Sequence, residues 1–291
     1  MELLAQQIIA GLATGAIYAS MALAVVMIYG AIDHINFAQG EMAMFSTFLA
    51  WQLLAWGAPF PAAFALAVVV SFAAGIAIER TVFQPLRHAP VLSHVVVFIA
   101  LYAILNSLAG YIWDFSIKPF PSPFGSASLW GGLVSAHQLG MLATVVAMLA
   151  LIWAFFRFSR VGLAMRAAAA NPDSARLVGI RVGWTVALGW GLAAAIGAVA
   201  GILIAPVVFL EPNMMLGILL YGFAGAVLGG LTSPLGAVLG GLLVGVVENL
   251  AGTFVPVIGN ELKLPIALVL IVAVLVFRPS GLLGRRVLQR V

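Results

Sequence analysis

Two stretches carry most of the side chains in this chain that could do chemistry. The first, YGAIDHINFAQGEMAMFS at 29–46, gathers Asp33, His34, Asn36, Gln39 and Glu41 between two apolar runs. An ionisable group at mid-membrane costs roughly 2.5–3.5 kcal/mol on insertion scales, so such a residue faces a cavity or a partner. Two readings stay open. The stretch is either a short interfacial loop with wetted polar residues or a broken helix lining a pathway, with Gly30 and Gly40 as the breaks. On the pathway reading Asn36, Phe37, Gln39 and Glu41 are the candidate lining residues. Segment 30–40 has no Lys or Arg, so charge does not fix its side of the membrane.

The second stretch, RFSRVGLAMRAAAANPDSARLVGIR at 157–181, is a long polar interruption in an apolar chain. It sets Arg157, Arg160, Arg166, Arg176 and Arg181 against one acid, Asp173. A short helix signal lies inside it. Asn171 suits an N-cap, Pro172 the first helical position, and Asp173 the positive end of the helix dipole. Gly179 supplies a C-terminal stop. The predicted helix, Pro172 to Val178, has about two turns and is too short to be stable alone in water. Ala175, Leu177 and Val178 are expected to form its apolar side and Arg176 its polar handle. The segment is either a solvated basic loop between spans or a docking helix for a cytoplasmic protein.

Other chemistry lacks its residues. A phosphate-binding loop needs Gly-Lys-Ser/Thr, so that backbone amides and a lysine cradle the phosphates; Lys118 follows Ile117 and Lys263 follows Leu262. An intramembrane serine protease of the rhomboid type needs Gly-x-Ser-Gly, and metal-dependent lipid enzymes need paired carboxylates such as DxxxD within a span. Neither pattern occurs. His34, His88, His94 and His137 are scattered and there is no cysteine, so no metal-ligand spacing arises. The chain reads as a non-enzyme.

Membrane helices must position both stretches. The 291 residues are 64% hydrophobic and 8% charged, whereas a soluble domain carries about 25% charge. The apolar runs are long and do not alternate, which disfavours a β-barrel. The expectation is an all-α, polytopic transmembrane bundle of about eight spans, within a range of roughly seven to ten, forming one domain over 1–291. Spans are predicted near 6–29, 40–56, 61–79, 91–112, 138–156, 184–209 and 264–277. The glycine-dense segment 217–250 reads as two closely packed or partly re-entrant helices, split at Thr232-Ser233-Pro234. The N-terminus lacks the positive region of a secretory signal and reads as the start of the first span. Gly11 and Gly15 form a GxxxG pair, a close helix-packing face. Glu248 is either interfacial or cavity-facing.

Eleven of the thirteen Lys and Arg residues fall at 80–87, at 157–181 and from Arg278 onward. By the positive-inside rule these stretches are cytoplasmic, and loops 113–137 and 256–263 face outward. The outward loop 113–137 holds Trp113, Phe115, Phe120, Phe124 and Trp130. It reads as an interfacial aromatic belt or a lid for an external partner.

Four motifs then fall in a telling order: INFAQGE at 35–41, RAAAANPDSARLVGI at 166–180, AVLGGLTSPLGAVLGGLLVG at 226–245 and RPSGLLGR at 278–285. Over essentially its full length the chain resembles the permease subunits of high-affinity branched-chain amino-acid ABC importers, of the LivH type. Gln39 stands where that family commonly has His. The resemblance implies a second homologous permease, two cytoplasmic ABC ATPase subunits and a periplasmic solute-binding protein, assembled in the bacterial inner membrane with the C-terminus cytoplasmic. It implies no nucleic-acid partner and no cofactor on this chain, with ATP and Mg used by the ATPases. It also implies that 157–182 is the coupling loop, with Arg166, Ala170, Asn171, Pro172, Asp173, Ala175, Arg176, Leu177 and Gly179 at the ATPase interface. Branched-chain or related amino acids would be the cargo. The alternative is an ion-coupled secondary transporter of a small polar solute, using Asp33, Glu41 or Glu248.

Overall fold

In lipid a backbone can satisfy its own N–H and C=O groups only as a helix or a closed barrel, and this chain takes the helical solution. The computed structural model describes residues 2–32, 34–87, 89–125, 127–129, 134–255, 262–278 and 280–284. The readings at Asp33, His88, Trp130, Arg285, Arg286 and Arg290 lie outside them. In chain order the helices are α1 (Glu2–Ile32), α2 (Gln39–Ala55), α3 (Phe60–Ile78), α4 (Val91–Trp113), α5 (Ala136–Phe158), α6 (Arg160–Ala170), α7 (Pro172–Leu177), α8 (Val182–Val208), α9 (Met215–Gly229), α10 (Pro234–Phe254) and α11 (Lys263–Phe277). A π-helical turn, Glu79–Phe83, extends α3. One small antiparallel pair, β1 (Ser128–Leu129) with β2 (Val134–Ser135), lies in the α4–α5 loop.

Among the described residues six helices are long and apolar enough to cross a bilayer: α1, α3 with its π turn, α4, α5, α8 and α10. The apolar α9 and α11 are shorter. The 17-residue α2 carries Gln39, Glu41, Ser46, Thr47 and Gln52, and most of it is buried. The chain divides into two compact units, each discontinuous in sequence. One comprises Met1–Val26, Pro121–Ala143 and Leu216–Val291; the other comprises Met27–Phe120 and Thr144–Met215.

Small residues set the packing in both. In the first unit a Cβ on Gly11 would sit 2.8 Å from the Cα of Val246, and one on Gly15 would sit 2.9 Å from the carbonyl oxygen of Leu242. The GxxxG face is therefore the crossing of α1 with α10. In the second unit α8 is the buried axis, with α3 and α2 packed along it. A Cβ on Gly75 would lie 2.6 Å from the Trp190 carbonyl oxygen, and one on Gly191 would lie 2.9 Å from that of Phe72. At one end of this core Phe83, Phe98 and Trp190 form a triangle of rings, with the Phe83 centroid 4.6 and 4.5 Å from the other two and those two 6.1 Å apart.

The predicted breaks at Gly30 and Gly40 are not where the helix ends. Gly30 lies inside α1 and Gly40 inside α2, so the interruption falls between Ile32 and Gln39. Its cause is Asn36, whose Oδ1 accepts from the Ala38 N–H at 2.9 Å. That local side-chain bond offers the backbone an alternative to the helix ladder. Two of the sequence motifs also meet. The Leu282 and Leu283 N–H groups donate to the Leu228 and Gly229 carbonyls at the end of α9 (2.8 and 3.0 Å). Both turns use positive φ, 110° at Gly230 and 70° at Gly281, where a side chain would be strained.

Candidate functional site

The segment 157–181 is not a loop with one helix but a helix pair. Ser159 caps α6, its Oγ accepting from the Gly162 N–H at 2.8 Å, and Gly162, Met165 and Ala168 form the buried side. Arg166 and Ala170 are exposed on the other side. In α7 the predicted cap is in place: Asn171 Oδ1 accepts from the Ser174 N–H at 2.9 Å, with Pro172 following. The stop at Gly179 is a Schellman turn. Its φ is 84°, the Gly179 N–H donates to the Arg176 carbonyl, and the Ile180 N–H donates to the Ala175 carbonyl, both at 3.0 Å.

Ala175 is 3% exposed, while Leu177 is 89% and Val178 76% exposed. The three do not share a side. At 100° per residue Leu177 lies about 200° round the helix from Ala175, so Ala175 seats α7 and Leu177 points away, while Val178, the C-cap beyond the last helical residue, is left exposed where the chain turns. Arg176 and Asp173 pair with each other across the outer surface at 2.8 Å. Asn171, Pro172, Asp173, Arg176 and Gly179 are all exposed. The patch is thus polar around two bare aliphatic side chains. Beside it the π turn meets the start of α8: the Arg80 guanidinium lies 3.9 Å from the centre of the Trp184 ring and its Nη1 donates to Gln84 Oε1 at 3.1 Å.

The stretch 36–41 divides by role. Asn36 and Gln39 are both fully buried. The Asn36 amide donates to Gln39 Oε1 at 3.4 Å, and Gln39 Nε2 donates to the Ala193 carbonyl at 2.9 Å, joining α2 to α8. Phe37 is 41% exposed and Glu41 only 1%. Asn106 of α4 donates to Glu41 Oε2 at 3.3 Å and also reaches the Pro212 carbonyl and Asn213 Oδ1, each at 3.1 Å. The turn at 211–214 is closed by the Met214 N–H donating to the Glu211 carbonyl at 3.2 Å. Glu248 is held in its own unit by Tyr18, whose hydroxyl donates to Glu248 Oε2 at 2.7 Å. A cleft of about 100 Å³ opens between α2, α3 and α4, lined by apolar side chains with Ser46 and Ser71; these two hydroxyls bond to each other at 2.6 Å.

Residues 7–277 match the family described as the branched-chain amino acid transport system permease component. The chain belongs to this family. The permease is 34% identical over 303 residues to the high-affinity branched-chain amino acid transport system permease protein BraD of Pseudomonas aeruginosa, covering 98% of this chain and 97% of that one. It is 30% identical, at the same coverage, to the corresponding permease protein LivH of Escherichia coli K12. A probable LivH of Methanocaldococcus jannaschii is 28% identical over 91% of this permease and 87% of that chain. Among solved structures, PsaBC from Streptococcus pneumoniae in complex with Fab shares the fold, with a TM-score of 0.52 at 13% identity, covering 93% and 91% of the two chains. The permease is therefore the membrane component of a transport system, working with partner subunits.

Sequence reasoning missed two residues at the permease's buried acid, Asn106 and Asn213. Asn106 had a usable signal. It is a carboxamide in the middle of VLSHVVVFIALYAILNSLAGYIW, and polar residues inside apolar helices face protein or cavity. Nothing local marks Asn213 as its partner 107 positions later.

Proposed function

We propose that the permease is the membrane half of an ATP-driven importer, paired with a second homologous permease and fed by a periplasmic binding protein. Its cargo is a branched-chain or closely related amino acid, the substrate class in the names of its relatives. ATP and Mg are used by two cytoplasmic ATPase subunits, and this chain binds no cofactor itself. The observation that carries the reading is the α6–α7 pair. A short, firmly capped helix presents Leu177 and Val178 bare within a polar surface, a pattern that suits a cleft in another protein. In this reading the arginine-rich stretches and the C-terminus face the cytoplasm of a bacterium, with the chain in the inner membrane. Closure of the ATPases on ATP moves α7, α7 moves α8 to which it is joined through residues 178–181, and the two permeases exchange outward-open for inward-open states.

The test is a gentle detergent extraction from native membranes, with mass spectrometry of what stays bound, followed by uptake of labelled leucine in vesicles. Co-purifying ATPases, a second permease and ATP-dependent uptake support the proposal. A lone chain that transports leucine and stops when an ionophore collapses the ion gradient overturns it.

A further inference from the structure

In the second unit one amide nitrogen is ringed by acceptors. Asn106 Nδ2 has Glu41 Oε2, the Pro212 carbonyl and Asn213 Oδ1 within 3.3, 3.1 and 3.1 Å. A carboxamide has two N–H hydrogens, so three acceptors compete for two donors. Glu41 is also 1% exposed. The ion pairs among the described residues are Glu79–Arg80 and Asp173–Arg176, and neither reaches it. Its own helix α2 carries no Lys or Arg. A buried carboxylate with an amide neighbour and no cation is expensive to maintain. The cluster is not sealed, for Asn213 at its other end is exposed. It therefore runs from an open turn to a buried acid, with Tyr102 of α4 as the nearby hydroxyl; acceptors outnumber the amide's two hydrogens, and no ion pair among the described residues supplies positive charge. An alkylammonium group brings three N–H donors and one positive charge. A carboxylate would add acceptors, and an aliphatic side chain would add neither donors nor charge.

We propose that Glu41, Asn106 and Asn213, with the Pro212 carbonyl, form a station that receives the ammonium group of the amino acid on its way through the membrane. The inference rests on the proposed function for the identity of the cargo. Glu41 acts as counter-ion, Asn106 holds the carboxylate in place, and Asn213 stands at the entrance.

The chain has no native cysteine, so in the assembled transporter N213C is the single thiol on this chain, read by the mass of its own peptide; it gives up the Asn213 acceptor at the entrance and leaves the Glu41 carboxylate and the Pro212 carbonyl intact. Its labelling by a small maleimide is followed in proteoliposomes with leucine, isoamylamine (leucine without its carboxylate), 4-methylpentanoate (leucine without its ammonium) or sodium chloride added. Leucine and isoamylamine are expected to slow labelling, and 4-methylpentanoate and sodium chloride to leave it unchanged. Adding E41Q, which supplies a donor but removes the charge, is expected to raise the half-protecting isoamylamine concentration on the order of tenfold, the loss of a charged hydrogen bond. E41D keeps the charge and is expected to retain protection, which separates the effect from misfolding. Leucine uptake by the unaltered assembly, with labelling indifferent to isoamylamine or equally slowed by 4-methylpentanoate or sodium chloride, overturns the inference and leaves the proposed function standing. Protection undiminished by E41Q overturns it too. If the unaltered assembly takes up no neutral amino acid with ATP, the proposed function falls and this inference with it.

Discussion

Replacing Leu177 and Val178 together by Ala separates docking from folding, because neither side chain supports the chain's own structure. Both stand mostly in solvent, at 89% and 76% exposure. Their truncation should leave the melting temperature of the purified permease nearly unchanged, as is usual for surface substitutions away from special features. In the assembly the account differs. A leucine or valine fully buried at an interface contributes about 1.5–3 kcal/mol relative to exposure, and truncation to Ala removes most but not all of that. Taking about 2–4 kcal/mol for the pair, ATPase affinity falls on the order of thirty- to a thousandfold, since each 1.4 kcal/mol is about tenfold. The assay is retention of the ATPase subunits on tagged permease in detergent, titrated by dilution, beside a thermal melt of the permease alone. Unchanged retention would refute the reasoning that α7 is buried in a partner. A drop in melting temperature matching the loss of retention would refute the claim that these side chains are idle in the isolated chain.

Four further outcomes follow from the geometry. Asn171→Ala removes the cap of α7 and should cost about 1 kcal/mol, read as faster hydrogen exchange at 172–177. Gly75→Val drives a side chain into the Trp190 carbonyl and should destabilise by about 1–3 kcal/mol or more, seen as a lower melting temperature and poor expression. Gln39→Leu strips the Ala193 carbonyl of its donor and should cost about 1–3 kcal/mol, again by thermal melt. Asp173→Ala breaks an exposed i,i+3 pair worth at most about 1 kcal/mol, so stability should hold and any loss of ATPase retention reports on the interface.

Local chemistry in the sequence was enough to locate α7, since the Asn-Pro start and the Gly179 stop each act on their immediate neighbours. Its orientation was not, because Ala175, Leu177 and Val178 look alike in a hydropathy reading, whereas Leu177 differs from Ala175 by angle around the axis and Val178 by lying past the helix end. The helix α6 escaped notice for a related reason. Its buried side is Gly162, Met165 and Ala168, small residues that give a faint periodic signal, although Ser159 and the three-residue spacing would have disclosed it. The glycine pair at 11 and 15 was readable as a packing face, whereas its partner, α10, is a matter of tertiary structure. In the stretch 36–41 the residue types were visible and their division of labour was not. Gln39 and Glu41 are two positions apart, yet one bonds to Ala193 and the other to Asn106. Gly30 and Gly40 were plausible breaks by type, but Asn36 decides the interruption through its own side-chain bond.

The backbone pairing of residues 282–283 with the end of α9 bears on how the protein is made. The Leu228 and Gly229 carbonyls are bonded by N–H groups more than fifty residues downstream. During synthesis those carbonyls emerge first and stay without these partners, a costly state if they lie in lipid. The clasp at the end of α9 is therefore completed only after α10 and α11 have been synthesised. A nascent chain halted after α11 would hold every helix among the described residues and still lack the clasp, so quality control acting on exposed backbone has a means to tell it from a chain extended through Leu283.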